Sequence, residues 1–213
     1  MVGRFQRRHT TNMPLSKYAL DKFVSQYLSQ LTQCNLHEVT SRFSQADSWV
    51  SNFVLNTILG CQVDQKAKRF AFAFLRRAEA AFVEYDHARQ ALTEFVDTGS
   101  RKPSVYFRAL NHFEAAIGFL YQAYDLRMRF MSVKLFQKGD GTSYNRLNSI
   151  YNKGRHFKPA DLPADHLHAI WITNDGIQID NCGVSFMEVE DFLMEIGRLA
   201  DRISSLSQGQ TST

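Results

Sequence analysis

The chain has 213 residues, 44% of them hydrophobic and 13% aromatic, which is enough apolar material for a substantial core in a single domain. A formal net charge of +4 is mildly basic and compatible with an anionic partner without requiring one. No apolar run approaches the roughly 20 residues that span a bilayer, so no membrane association is expected. Three widely spaced cysteines, Cys34, Cys61 and Cys182, offer neither a disulfide framework nor a paired zinc motif, and they fit a reducing, cytoplasmic setting.

Residues 1–15 read as a basic flexible tail. Arg4, Arg7 and Arg8 and the lack of any acidic residue through Leu20 weakly imitate an organellar presequence, although a frayed tail is the simpler reading. Residues 16–206 read as one helical domain with its core in 64–206, and 207–213 as a second loose tail. Pro14 and Ser16 mark a first helix, with Leu20, Phe23, Val24, Tyr27, Leu28 and Leu31 on one face. A second runs from about His37, with Phe43, Val50, Phe53, Val54 and Ile58 as its stripe, to Gly60. Asp64 caps a long third helix that extends most of the way to Gly99, and a fourth runs from near Ser104 until just before Gly139-Asp140-Gly141. These two long helices read as the central antiparallel pair of a bundle.

Thr142 or Ser143 caps a fifth helix that ends near Pro159. The period then changes. His168 to Thr173 and Ile177 to Asp180, joined by Asn174-Asp175-Gly176, predict a β-hairpin that must lie on the helices or pair with another copy. Ser185 caps the last helix, whose apolar side runs from Phe186 to Leu206. The expected fold is therefore predominantly all-α: an antiparallel helical bundle with a small hairpin before its final helix.

The fifth helix carries the strongest functional signal. Leu147, Ile150, Tyr151, Gly154 and Phe157 fall on one face, and Asn145, Asn148, Ser149, Asn152 and His156 fall opposite. Asn is a poor helix former, so this alignment points to a use beyond helix stability. A homodimer interface explains such a stripe as well as an RNA cleft does. His156 alone also fits a residue that meets the last carbonyls of its helix. On the fourth helix, Glu114 shares a face with Leu110, Ile117 and Tyr121, where an unpaired carboxylate is costly to bury. It is expected either to pair with Arg155, His156, Asn152 or a backbone donor, or to reach water at the rim of the stripe. Two basic segments, Lys66 to Arg77 and Arg127 to Lys138, come together in an antiparallel pair and read as a solvated face or a phosphate-binding surface. His166 and His168 have no further ligand near them, and neither a metal site nor a cofactor is expected.

Two long helices, a short polar helix containing Tyr151-Asn152-Lys153-Gly154-Arg155-His156, a hairpin and a final amphipathic helix together resemble the HEPN superfamily. The resemblance covers roughly residues 64–206. The family motif is an Arg followed four to six residues later by His, with a polar residue directly after the Arg. His156 matches the His and Asn152 the polar position, while Tyr151 stands where Arg is expected. The resemblance implies a homodimer whose two motifs face one cleft, and a metal-independent endoribonuclease of a defence or toxin–antitoxin system. In it His156 would move the proton of a ribose 2′-hydroxyl, Asn152 would orient it, and a cation would hold the phosphate. Tyr151 leaves that last task unfilled within one chain; Arg155, reaching across the two-fold axis from the partner, or Lys153 would meet the phosphate, with Arg146 and Asn148 as further RNA contacts and Glu114 and Tyr151 as supports. A catalytically silent module that binds a protein partner is the alternative.

Overall fold

The computed structural model describes residues 16–59, 64–97, 101–156, 158, 160, 162–180 and 182–205. Its described helices are α1 (Lys17–Phe23), α2 (Trp49–Ile58), α3 (Gln65–Asp97), α4 (Pro103–Met131), α5 (Ser143–Arg155) and α6 (Phe186–Ser205). Three short strands, β1 (Trp171–Ile172), β2 (Gly176–Ile179) and β3 (Cys182–Ser185), form an antiparallel sheet in the order β1-β2-β3. The chain is thus mostly helical, as expected, but the hairpin is the first part of a three-stranded sheet. That sheet packs on α5 and α6.

The long pair α3 and α4 runs antiparallel. Phe70 meets Phe130 at one end, Arg77 bonds Gln122, Glu84 bonds His112, and Glu94 pairs with Arg108 at the other end. The Asp64 carboxylate caps α3 by accepting from the N–H groups of Lys66 and Ala67 at 2.9 and 3.1 Å. Between and above these helices, Phe82, Tyr85, Phe95, Tyr106, Phe113 and Phe186 are almost wholly buried. Each such side chain contributes about 1.5–3 kcal/mol by leaving water. Ser185 and Glu188 form a reciprocal cap at the start of α6. The Glu188 N–H donates to Ser185 Oγ at 3.1 Å and the Ser185 N–H to Glu188 Oε2 at 2.9 Å.

Four element boundaries depart from expectation. The first helix stops at Phe23, because Ser25 and Gln26 turn inward: Ser25 Oγ bonds the Tyr106 hydroxyl at 2.9 Å, and Gln26 Nε2 donates to the His168 carbonyl at 2.8 Å. Tyr27 then adopts a left-handed backbone at φ 60° before a single 3₁₀ turn at Leu28–Gln30. The second helix begins only at Trp49, since residues 31–39 take no regular structure and are held by His37, whose N–H donates to Glu190 at 2.8 Å. The fourth helix ends at Met131, where Ser132 takes a left-handed conformation at φ 54°, well before Gly139. The fifth ends at Arg155, before Pro159. The expected stops at Gly60 and Gly99, like both tails, lie outside the described residues.

The segment before α3 covers the groove between α3 and α6. Trp49 is fully buried and its Nε1 donates to Asp201 at 2.6 Å. Phe43 lies flat against Gly197 of α6, where any Cβ would stand only 2.6 Å from the ring, so this close approach depends on glycine.

Candidate functional site

The outer face of α4 and the inner face of α5 enclose an open cavity of about 380 Å³. Its polar lining comes from Asn111, Glu114 and Gln122 of α4 and from Tyr151 and Arg155 of α5, while Ile117, Ile150 and Ile170 close it from below. Small residues make the hollow. Gly118 leaves room for the Tyr151 ring, with Cδ2 at 4.0 Å from a Cβ placed there. A Cβ at Gly154 would lie 3.3 Å from Ile170 Cδ1 and 3.7 Å from Glu114 Oε2.

Glu114 is half-buried and, among the described residues, forms no hydrogen bond or ion pair. The expected pairing with Arg155, His156 or Asn152 is therefore absent, and the carboxylate opens onto the cavity instead. Burial pushes its carboxyl above the ordinary value, because the cavity hydrates the charge poorly and no cation offsets that loss. Tyr151 stacks on Tyr121 with ring centroids 4.4 Å apart. Arg155 folds back one turn, donating from Nη1 to the Tyr151 hydroxyl at 2.5 Å with its guanidinium 5.4 Å from the ring centre. The exposed guanidinium keeps unused N–H donors for an anion. On the far side, Arg77 of α3 donates to Gln122 at 2.6 Å and lies 5.9 Å from the Phe119 ring, so a second cation backs the cavity wall.

The remaining residues of interest divide clearly. His156 is exposed at the C-cap of α5. Its backbone N–H donates to the Asn152 carbonyl at 2.9 Å, and its ring has no hydrogen-bonding partner among the described residues. Asn152 is also exposed and donates to Asn148 Oδ1 at 2.8 Å. Lys153 reaches Asp180 at 3.2 Å. None of these four lines the cavity.

Two residues at the start of α5 are held inside the protein, Asn145 against expectation. Asn145 is buried, only 8% exposed, because α5 is covered by α4 on one side and by β2 and β3 on another, so its buried arc is wider than a single apolar stripe. Arg146 is engaged within the protein: its Nε donates to the Gly183 carbonyl at 2.9 Å, and its Nη groups bond the Gly141 carbonyl and the Glu188 carboxylate. It ties α5 to β3 and to the start of α6. His166 and His168 precede β1 in irregular chain, where His168 Nε2 meets the Val24 carbonyl at 2.8 Å and His166 lies on the Trp171 ring, so they do not converge on one ligand.

The two basic segments do lie together, at the end of the bundle marked by Phe70 and Phe130, but several of their cations are engaged. Arg127 pairs with Glu195 and Arg129 with Asp125, while Lys66, Arg69, Arg76, Lys134 and Lys138 are exposed. The same end holds an apolar cavity of about 280 Å³ lined by Phe53, Phe70, Phe74, Leu126, Phe130 and Leu199. Sequence periodicity does not signal it, because it forms only where side chains of four separate helices meet. No helix among the described residues is long and apolar enough to cross a membrane. Comparison with protein-family models, with characterised proteins and with solved structures gives no match for this chain.

Proposed function

We propose that the chain is an RNA- or nucleotide-binding protein of HEPN-like layout, with the cleft between α4 and α5 as its binding site. The observation that carries this reading is the convergence of an unpaired carboxylate, Glu114, a stacked aromatic, Tyr151, and an exposed guanidinium, Arg155, on one open cavity. Arg155 is suited to phosphate, and Glu114 is suited to the N–H edge of a base, which a carboxylate accepts. Arg155 also bears on the Tyr151 departure: its guanidinium lies at the tip of the tyrosine, so a cation stands near the position that the motif gives to Arg.

Cleavage is the finer proposal. His156, exposed and unpartnered beside Arg155, is the proton-transfer residue, with Asn152 positioned one turn earlier. In a homodimer, two α5 faces would bring two imidazoles to one groove. A test incubates purified protein with mixed RNA in EDTA and, in parallel, titrates a labelled RNA at two salt concentrations. Binding that weakens with salt and with Arg155→Met supports the cleft, since phosphate contacts release counterions. Cleavage abolished by His156→Ala supports the nuclease. Absence of salt-dependent binding removes both.

A protein-interaction module is the second reading, favoured by the apolar cavity between α2, α3, α4 and α6, at whose mouth Phe130 and Met131 are 50% and 55% exposed. It predicts a hydrophobic partner and no RNA affinity.

A further inference from the structure

A second cluster of chemistry lies on another part of the α3–α4 pair. Glu84 and His87 are three residues apart on α3, which puts both on one face of the helix. His112 of α4 faces them across the antiparallel contact. His112 Nδ1 stands 2.6 Å from Glu84 Oε2, and the rings of His87 and His112 are 5.0 Å apart at an interplanar angle of 55°. One ligand atom from each of the three residues fits within a mutual separation of 4.8 Å. The Glu84 and His112 side chains are 26% and 30% exposed and His87 is exposed, so the group opens to solvent. Asp47 and Asp86 line the adjoining hollow with His87, Asp86 being paired with Arg89 at 2.7 Å.

We propose that Glu84, His87 and His112 form a zinc site that staples α3 to α4. Two imidazoles and one carboxylate are a donor set that suits Zn²⁺ far better than the oxygen-seeking Mg²⁺ or Ca²⁺. Tetrahedral bonds of about 2.0–2.2 Å place ligand atoms about 3.3 Å from one another. The Glu84–His112 contact must therefore open slightly and the widest separation must close by at most about 1.5 Å, which rotamer adjustment at a solvent-facing surface supplies. The outward side leaves the fourth position to water. A hydrogen bond between Glu84 and His112 would account for two members of the cluster, but it gives no reason for the His87 ring to lie against His112. This site is separate from the α4–α5 cleft and independent of any RNA-binding role.

Isothermal titration of the full chain with zinc chloride, with thermal melts in zinc and in EDTA, tests the proposal. The expected result is one Zn²⁺ per chain at micromolar affinity and a higher melting temperature in zinc. His87→Asn, His112→Asn and Glu84→Gln should each weaken binding by more than the roughly 10–100-fold that loss of an outer-shell partner costs. His37→Asn, which removes the comparable His37–Glu190 contact, should leave the affinity unchanged. Substitution with Co²⁺ should give a spectrum without thiolate charge transfer. The proposal is overturned by no binding in the micromolar range, by binding that survives the exposed His87→Asn substitution, or by a thiolate band that assigns the metal to cysteines. His87→Asn decides the matter even if His112→Asn compromises folding.

Discussion

Gly154→Ala separates the architecture of the α4–α5 cleft from its use. Gly154 is in the last turn of α5, and an added Cβ would lie 3.3 Å from Ile170 Cδ1 and 3.7 Å from Glu114 Oε2. The first distance is tight, but the atom is the end of a flexible side chain and can move by a few tenths of an ångström. The second is ordinary van der Waals contact. Replacing a helical glycine by alanine gains up to about 1 kcal/mol in backbone entropy, and less in a terminal turn, where order is already weaker. Against this, the methyl group displaces water from Glu114 and penalises its ionised form further. The net expectation is a gain of about 0.5 kcal/mol, corresponding to about 1–2 °C in melting temperature for a chain of this size, larger at pH 4 than at pH 7. The cleft meanwhile loses the space beside Glu114, so RNA affinity should fall severalfold although the protein is no less stable. Paired thermal melts at the two pH values and an anisotropy titration measure both effects. A fall of several degrees at pH 4 would refute the close α5–α4 geometry, and unchanged affinity in a protein that binds RNA would refute the cleft as its site.

Glu114→Gln should raise the melting temperature at pH 7. The folded carboxyl binds its proton more tightly than the unfolded one, so its contribution is favourable at low pH and is lost as pH rises through the elevated folded value; the advantage of Gln should vanish below about pH 4 in a pH series of melts. Glu195 is the opposite case. Burial works against its ionisation, but hydrogen bonds from Tyr144, Tyr124 and Arg127 outweigh burial and hold its carboxyl below the ordinary range. Its stabilisation is present above the unfolded value and lost as pH falls through the lowered folded value, so Glu195→Gln should lower stability at pH 7 and flatten the acid limb of the profile. The same cluster pushes the Tyr144 hydroxyl up to about 12, through burial and then the Glu195 carboxylate, so spectrophotometric titration should show this tyrosine ionising after exposed ones. Arg146→Met should cost about 2–3 kcal/mol in urea denaturation, since it strips charge-assisted bonds from Gly141, Gly183 and Glu188, while leaving RNA affinity unchanged.

The long helices were legible because α3 and α4 bury a regular face over many turns, and repetition averages out local exceptions. The region before α3 was not, because its buried polar groups act against the helical period. Ser25 and Gln26 leave the helix to satisfy Tyr106 and His168, partners more than 80 residues away that no local window contains. The third strand escaped notice for a related reason: Cys182-Gly183-Val184-Ser185 has only one buried apolar residue, and its pairing with β2 supplies what its composition lacks.

The α5 face shows how a helical wheel can misjudge what a face meets: the cavity is lined by Ile150, Tyr151 and Gly154 of its apolar side, with Arg155, and by none of its polar stripe. The wheel separates one apolar face from one polar face, but α5 packs against α4 and the sheet on two sides, so Asn145 at its start is buried and Arg146 becomes a tie between elements. Toward its end, Asn152, Arg155 and His156 are exposed, while Lys153 pairs with Asp180. Glu114 was a legible anomaly on its own helix, yet its surroundings depend on Gly118 and Gly154, whose missing side chains create the hollow that it faces. A wheel registers a glycine as an absence of hydrophobicity, whereas between two packed helices it is an absence of volume. The zinc cluster obeys the same logic, since Glu84-x-x-His87 is visible in sequence but its third member is fixed by the register of α3 against α4. Chemistry that lies on one element can be read from that element alone. Chemistry shared between two requires their separation and register, which small residues and cross-helix contacts set.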